Sequence, residues 1–295
     1  MGLLEQLQPA DRALAATVLV ALVVSLLTGR RGGRFRGLYG WAFFWVGFAV
    51  LLACLTHAKR WISFPLLAAL MFASLRAYFF VAPVHPADRR AIIGSYLAIP
   101  LVLYPVYINS VGMFLATVPA LLFLFAPLLV AIGPRSEGLL DSIGRTLLGV
   151  IFFIFCTAHL GLLAQLTEVR TGLLGLFGVL VLSAELVQRL LGRFRPGRGK
   201  LLPALGVSLS LALVTAIGFW LGPLCGLADD DGARAAFLVG LAVTAGAIVS
   251  DAVAQDLDLS SSAARLGRGA FLDRAIPAVY AAPVFYHYLN HFVLV

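Results

Sequence analysis

The chain alternates long apolar stretches with short polar ones along its whole length. Ten stretches stand out: Ala13 to Gly29, Leu38 to Thr56, Trp61 to Val81, Ala91 to Ile108, Val111 to Ile132, Leu147 to Leu166, Gly172 to Leu191, Leu201 to Gly222, Ala235 to Ser250 and Ile276 to Leu294. A run of about 20 apolar residues is long enough to cross a hydrocarbon core of about 30 Å as a helix. Inside lipid the backbone has no water to bond, and a helix satisfies its polar groups within one segment. The pattern therefore predicts an all-α fold, a polytopic integral membrane bundle of about nine to ten transmembrane helices.

Composition agrees with the pattern and excludes a water-soluble domain. Hydrophobic residues make up 61% and charged residues 12% of the 295, against roughly 25% charged in soluble proteins. The net charge of +8 would suggest nucleic acid in a soluble chain. Here the bases sit in short loops between apolar runs, so we expect anionic headgroups as their partners and no nucleic acid. Alternating loops place sixteen of the 22 basic residues on one side and five on the other, with Arg76 inside a span. The basic-rich side is assigned to the cytoplasm, which puts both termini outside and the loop Ala252 to Arg274 inside. The expected location is the cell membrane, inner or plasma, as a multi-pass protein. Glu5 and Asp11 stand where a signal peptide would be basic, so Ala13 to Gly29 reads as a retained helix. Cys54, Cys156 and Cys225 lie in or beside apolar runs without pairing or metal spacing and read as small hydrophobes.

Charged and Gly/Pro residues break the apolar pattern at Gly133 to Arg145 and again around Thr167 to Thr171. The second break divides the chain into an N-terminal transmembrane bundle, 1–170, and a C-terminal region, 171–295. Trp41, Trp45, Trp61 and Trp220 fall near span ends, where indoles form interfacial belts.

Ionisable groups within spans are costly in lipid and mark sites. They are Arg76, His159 and Glu185, with Asp251 and Asp273 at span ends. Glu185 has two readings. It can pair with Arg189 one helical turn on, or it can converge with Asp251 and Asp273 as oxygen ligands for a divalent cation such as Mg²⁺. His159 reads as a helix-to-helix hydrogen bonder, with a ligand role as the alternative. His287 and His291 have a metal spacing, yet His287 lies 14 residues beyond Asp273, about 21 Å along a helix, so they belong to a separate aromatic end. Asp229-Asp230-Asp231 reads as a solvated external turn, with a calcium site as the alternative.

The C-terminal stretch carries a resemblance. Asp251 ends an apolar run, then come Gly267-Arg268-Gly269-Ala270-Phe271-Leu272-Asp273-Arg274 and Ala282-Pro283-Val284-Phe285. This series resembles the phosphatidate cytidylyltransferases, or CDP-diacylglycerol synthases, in which a helix ends in Asp, a cytoplasmic loop runs through His-Gly-Gly-x-x-Asp-Arg-x-Asp, and the last helix carries Ala-Pro-Val-Phe. Upstream, Glu185 to Gly192 is similar to the family's Asp-x-x-Ala-Tyr/Gln helix end, and Gly197 to Pro203 to its Gly-Arg-x-Lys-x-x-Pro run. The resemblance implies a catalytic group of Asp273, Arg274 and Asp251, phosphate contacts from Arg268, Lys200 and Arg198, and metal ligation by Asp251, Asp273 and Glu185. It also implies phosphatidate and CTP as ligands, Mg²⁺ as cofactor if the chain is active, and a homodimer.

The departures fall on the chemistry. The family's Ser-Pro-x-Lys-Thr-x-Glu-Gly is replaced by Ala-Leu-Gly-Val-Ser-Leu-Ser-Leu at 204–211, the signature His by Arg268, the second Gly by Ala270 and the final Asp by Ile276. Attack of a phosphatidate oxygen on the α-phosphorus of CTP needs cations around several phosphates. Arginines replace a lysine on phosphate, but Ile276 does not replace a carboxylate. Three functions are therefore expected in order: a cytidylyltransferase-like protein of phospholipid metabolism with lost or reduced activity; an inactive paralogue serving as a lipid- or nucleotide-binding or regulatory membrane partner; and, ranked low, a transporter.

Overall fold

The computed structural model describes residues 8–29, 38–85, 88–132, 138–167, 170, 172–192, 201–257 and 270–293. Ten helices account for most of them. They are α1 (Pro9–Gly29), α2 (Leu38–His57), α3 (Arg60–Val81) and α4 (Arg89–Tyr107). Next comes α5 (Val111–Ala120, the π-turn Leu121–Phe125 and Ala126–Ala131), then α6 (Leu139–Leu166, with a π-turn at Ile151–Cys156). The last four are α7 (Leu173–Leu191), α8 (Leu201–Leu221), α9 (Asp229–Asp256) and α10 (Ala270–Tyr288, continued as a π-turn through Leu289–Val293). Eight of the ten, all but α5 and α10, are both long and apolar enough to cross a membrane. The protein is an all-α, multi-pass membrane bundle.

Each predicted span corresponds to one helix, and the differences lie at the ends. α6 begins at Leu139, two turns before the apolar run, because its polar first turns find partners. Arg145 Nε donates to Asp141 Oδ1 at 3.0 Å and Ser142 Oγ to Asp88 Oδ2 at 2.6 Å. α9 begins at Asp229, so Asp229-Asp230-Asp231 forms its first turn, with Asp229 and Asp230 exposed. Carboxylates there face the positive end of the helix dipole, and Asp230 pairs with Arg234 at 3.5 Å. The same helix continues to Asp256, placing Asp251 more than one turn inside it. α10 starts at Ala270, so Asp273 and Arg274 belong to its first turns. Hydropathy reads apolar length, and these helices extend into polar sequence that side-chain pairing supports.

Two helices form the centre. In α7, 78% of the apolar span is buried and in α6 72%, against 22% for α8. α7 packs on α1, α2, α6, α8, α9 and α10. The division at 170–171 is one of sequence, since α10 also packs on α3 and α6, and α1 packs on α7. α8 and α9 meet through glycine: a Cβ on Gly218 would run into Ala236 Cβ and the Gly232 carbonyl, and one on Gly222 would lie 2.9 Å from Gly232 Cα. Lipid provides no hydrophobic drive between helices, so close backbone approach supplies the attraction through van der Waals contact.

Candidate functional site

One end of the bundle collects the polar groups that the sequence singled out. The C-terminal turns of α7, the N-terminal turns of α2 and the start of α10 meet there, so residues distant in sequence become neighbours.

Glu185 is 2% exposed, on the inner face of α7. Its Oε2 accepts a hydrogen bond from Trp41 Nε1, a longer one from Trp45 Nε1 at 3.4 Å, and one from Arg189 Nε at 3.4 Å. Indole N–H is a donor only, and residues four apart share one helix face, so Trp41 and Trp45 present two donors to one carboxylate. Both indoles are 0% exposed. This corrects the expectation of an interfacial belt for these two, while Trp61 and Trp220 do face outward. The buried acid needs donors more than the interface needs indoles.

Arg189 links α7 to α10. Its Nη1 lies 3.1 Å from Asp273 Oδ2, its Nη2 donates to the Asp273 carbonyl at 3.0 Å, and its guanidinium carbon sits 5.3 Å from the Trp41 ring centroid. Arg274 lies over α2 beside Gly40, where a Cβ would stand 2.6 Å from its Nη2. It is close enough to Arg189 and Asp273 to feel both charges. Among the described residues Glu185 Oε1 is buried without a hydrogen-bond partner.

Among the sequence-predicted residues, Glu185, Asp273 and Arg274 are thus brought together. Of the two readings of Glu185, the pairing with Arg189 is the one present, and Arg189 also reaches Asp273. Asp251 is buried in α9. Among the described residues no group of three or more His, Cys, Asp or Glu is placed to hold a metal ion, so Glu185, Asp251 and Asp273 do not form one. Arg198, Lys200 and Arg268, with the glycines around Arg268, lie outside the described residues.

Sequence reading gave Arg189 only as a local partner and did not single out Gln188. Gln188 Nε2 donates to Ser210 Oγ on α8 at 3.1 Å and to Thr244 Oγ1 on α9 at 2.9 Å, fixing three helices beside the acid. The available signal was spacing: Gln188 follows Glu185 by three residues, and Trp41 and Trp45 are four apart.

The opposite end of α10 holds a separate group. His159, 0% exposed on α6, has Nδ1 2.9 Å from the Phe155 carbonyl, so that nitrogen carries the proton. Its Nε2 then accepts from His287 Nε2 at 3.3 Å, and the His287 ring stacks on His291. His159 is a helix-to-helix hydrogen bonder, as its sequence context suggested. Between α8 and α9, burial pushes the Cys225 thiol up to about 12, with Asp11 adding to the effect. Its Sγ points at the Gly172 carbonyl, 3.6 Å away, and it behaves as a small hydrophobe.

No family model matches the chain, and no solved structure matches it. It is similar to a protein of Escherichia coli (strain K12) described as "Uncharacterized protein YnbB", with 26% identity over 261 residues, 84% of this chain and 85% of that one. The likeness therefore spans most of both proteins.

Proposed function

We propose that this chain is a phosphatidate cytidylyltransferase-like membrane protein of phospholipid metabolism. It retains a site for the phosphates of phosphatidate and CTP at the cytoplasmic end of α2, α7 and α10, works as a homodimer, and has lost most or all turnover. The retained part rests on Glu185, Asp273 and Arg274, which the resemblance assigns to the reaction centre and which the helices gather at one end. The observation that carries the loss is Ile276. By the resemblance this position holds the last carboxylate of Asp-Arg-x-Asp, and here it is 0% exposed, packed in the apolar core of α10. Arg274 stands beside these acids, and arginine suits phosphate through its paired donors.

The test uses detergent-purified protein with radiolabelled CTP, phosphatidate and Mg²⁺. Expected is CDP-diacylglycerol formation no greater than that of Asp273→Ala, together with retention of phosphatidate that Arg274→Gln weakens. Turnover abolished by Asp273→Ala would overturn the loss of activity. Absence of both phosphatidate and CTP binding would overturn the whole reading.

A further inference from the structure

We infer that Arg189 is the resident cation of this site, standing between Glu185 and Asp273 where the resemblance places Mg²⁺, and that the wild-type carboxylates bind no divalent ion. The inference rests on the proposed function only in taking these two acids as the counterparts of metal ligands.

Mg²⁺ demands oxygens at 2.0–2.1 Å in near-octahedral order and parts reluctantly with its water. The arrangement here fits a planar fork instead. Arg189 Nε faces Glu185 Oε2 at 3.4 Å, Nη1 faces Asp273 Oδ2 at 3.1 Å, and Nη2 holds the Asp273 carbonyl at 3.0 Å. All three nitrogens are committed, one face lies against Trp41, and the side chain is 13% exposed. Trp41 and Trp45 direct their donors at the oxygen that Arg189 shares, and a donor N–H occupies an acceptor direction that a metal would need. Among the described residues of the cluster the charges also match, Glu185 and Asp273 against Arg189 and Arg274. Arginine keeps its proton in proteins, so this countercharge is permanent where a lysine's would be adjustable.

The experiment reads cation binding without CTP or phosphatidate. Tb³⁺ is added to protein in detergent and its luminescence is excited through tryptophan, since Trp41 and Trp45 adjoin Glu185. The wild type is expected to give no emission that Glu185→Gln removes. Arg189→Gln removes one of the three donors on Glu185 Oε2, beside Oε1, which has no partner among the described residues, and should gain Tb³⁺ affinity by at least ~10-fold, displaced by Mg²⁺ and lost in the double variant Glu185→Gln/Arg189→Gln. Arg189→Lys, which keeps the charge, should stay dark. Glu185-dependent emission in the wild type would overturn the inference, as would folded Arg189→Gln that gains none. Should Arg189→Gln fail to fold, the wild type decides: its unfolding midpoint should be unmoved by Mg²⁺ or by chelator, and a shift with either overturns the inference. A metal-binding wild type that still retains phosphatidate would remove Arg189's role alone, whereas loss of phosphatidate binding would leave the Tb³⁺ result standing.

Discussion

At the scale of single residues, the central fact is a carboxylate buried inside a membrane protein. Desolvating one ion costs several kcal/mol even after relaxation, and a hydrogen bond to a charged group returns about 1.5–3 kcal/mol. One donor would leave Glu185 in deficit, so Trp41, Trp45 and Arg189 converge on it. Trp41→Phe keeps the ring and removes the principal indole donor. We expect it to destabilise the protein by about 1–3 kcal/mol, and to show coupling of at least ~0.5 kcal/mol with Glu185→Gln in a double-mutant cycle. Unfolding in mixed micelles by SDS titration measures both, and additive effects would mean that the indole contributes packing alone. This pairing was only half legible in the sequence. An acid in an apolar run announces itself, but its donors lie 140 and 144 residues away, and no spacing rule joins α2 to α7.

At the scale of elements, the apolar pattern located every helix and misplaced several ends. Asp251 and Asp273 looked like the two banks of a loop because hydropathy stops near each. α10 takes in Asp273 because a carboxylate in a first turn faces the positive end of the dipole and Arg189 pairs with it; α9 runs on past Asp251 to Asp256. Helix pairing was the less legible part, because glycine in an apolar run looks alike whether it faces lipid or another backbone. Gly218 and Gly232 are the test. Gly218→Val places side-chain atoms where Ala236 and the Gly232 carbonyl already stand, and overpacking of this kind costs typically about 1–3 kcal/mol. The expected outcome is a lowered unfolding midpoint. Gly47→Val, at a position with open space, should leave it nearly unchanged. Equal effects at the two positions would show that α8 and α9 do not rely on close approach.

At the scale of the whole molecule, the lopsided basic residues and the gathered site make one prediction. The end holding Glu185, Arg189, Asp273 and Arg274 faces the cytoplasm. In a variant with its native cysteines replaced, a single cysteine at Ala228, before α9, should react with an impermeant maleimide on intact cells, and one at Gln255, near its end, only after permeabilisation. The reverse pattern would invert the topology and detach the site from cytoplasmic CTP.

The enclosure of α7 has a further consequence, for biogenesis. Its neighbours α1, α2 and α6 precede it in synthesis while α8, α9 and α10 follow, so α7 enters the bilayer half-surrounded. Trp41 and Trp45 are already in place when Glu185 emerges, whereas Asp273 is made 88 residues later. The indoles can shield the acid during insertion, and Arg189 acquires its second carboxylate only when α10 arrives and closes the bundle.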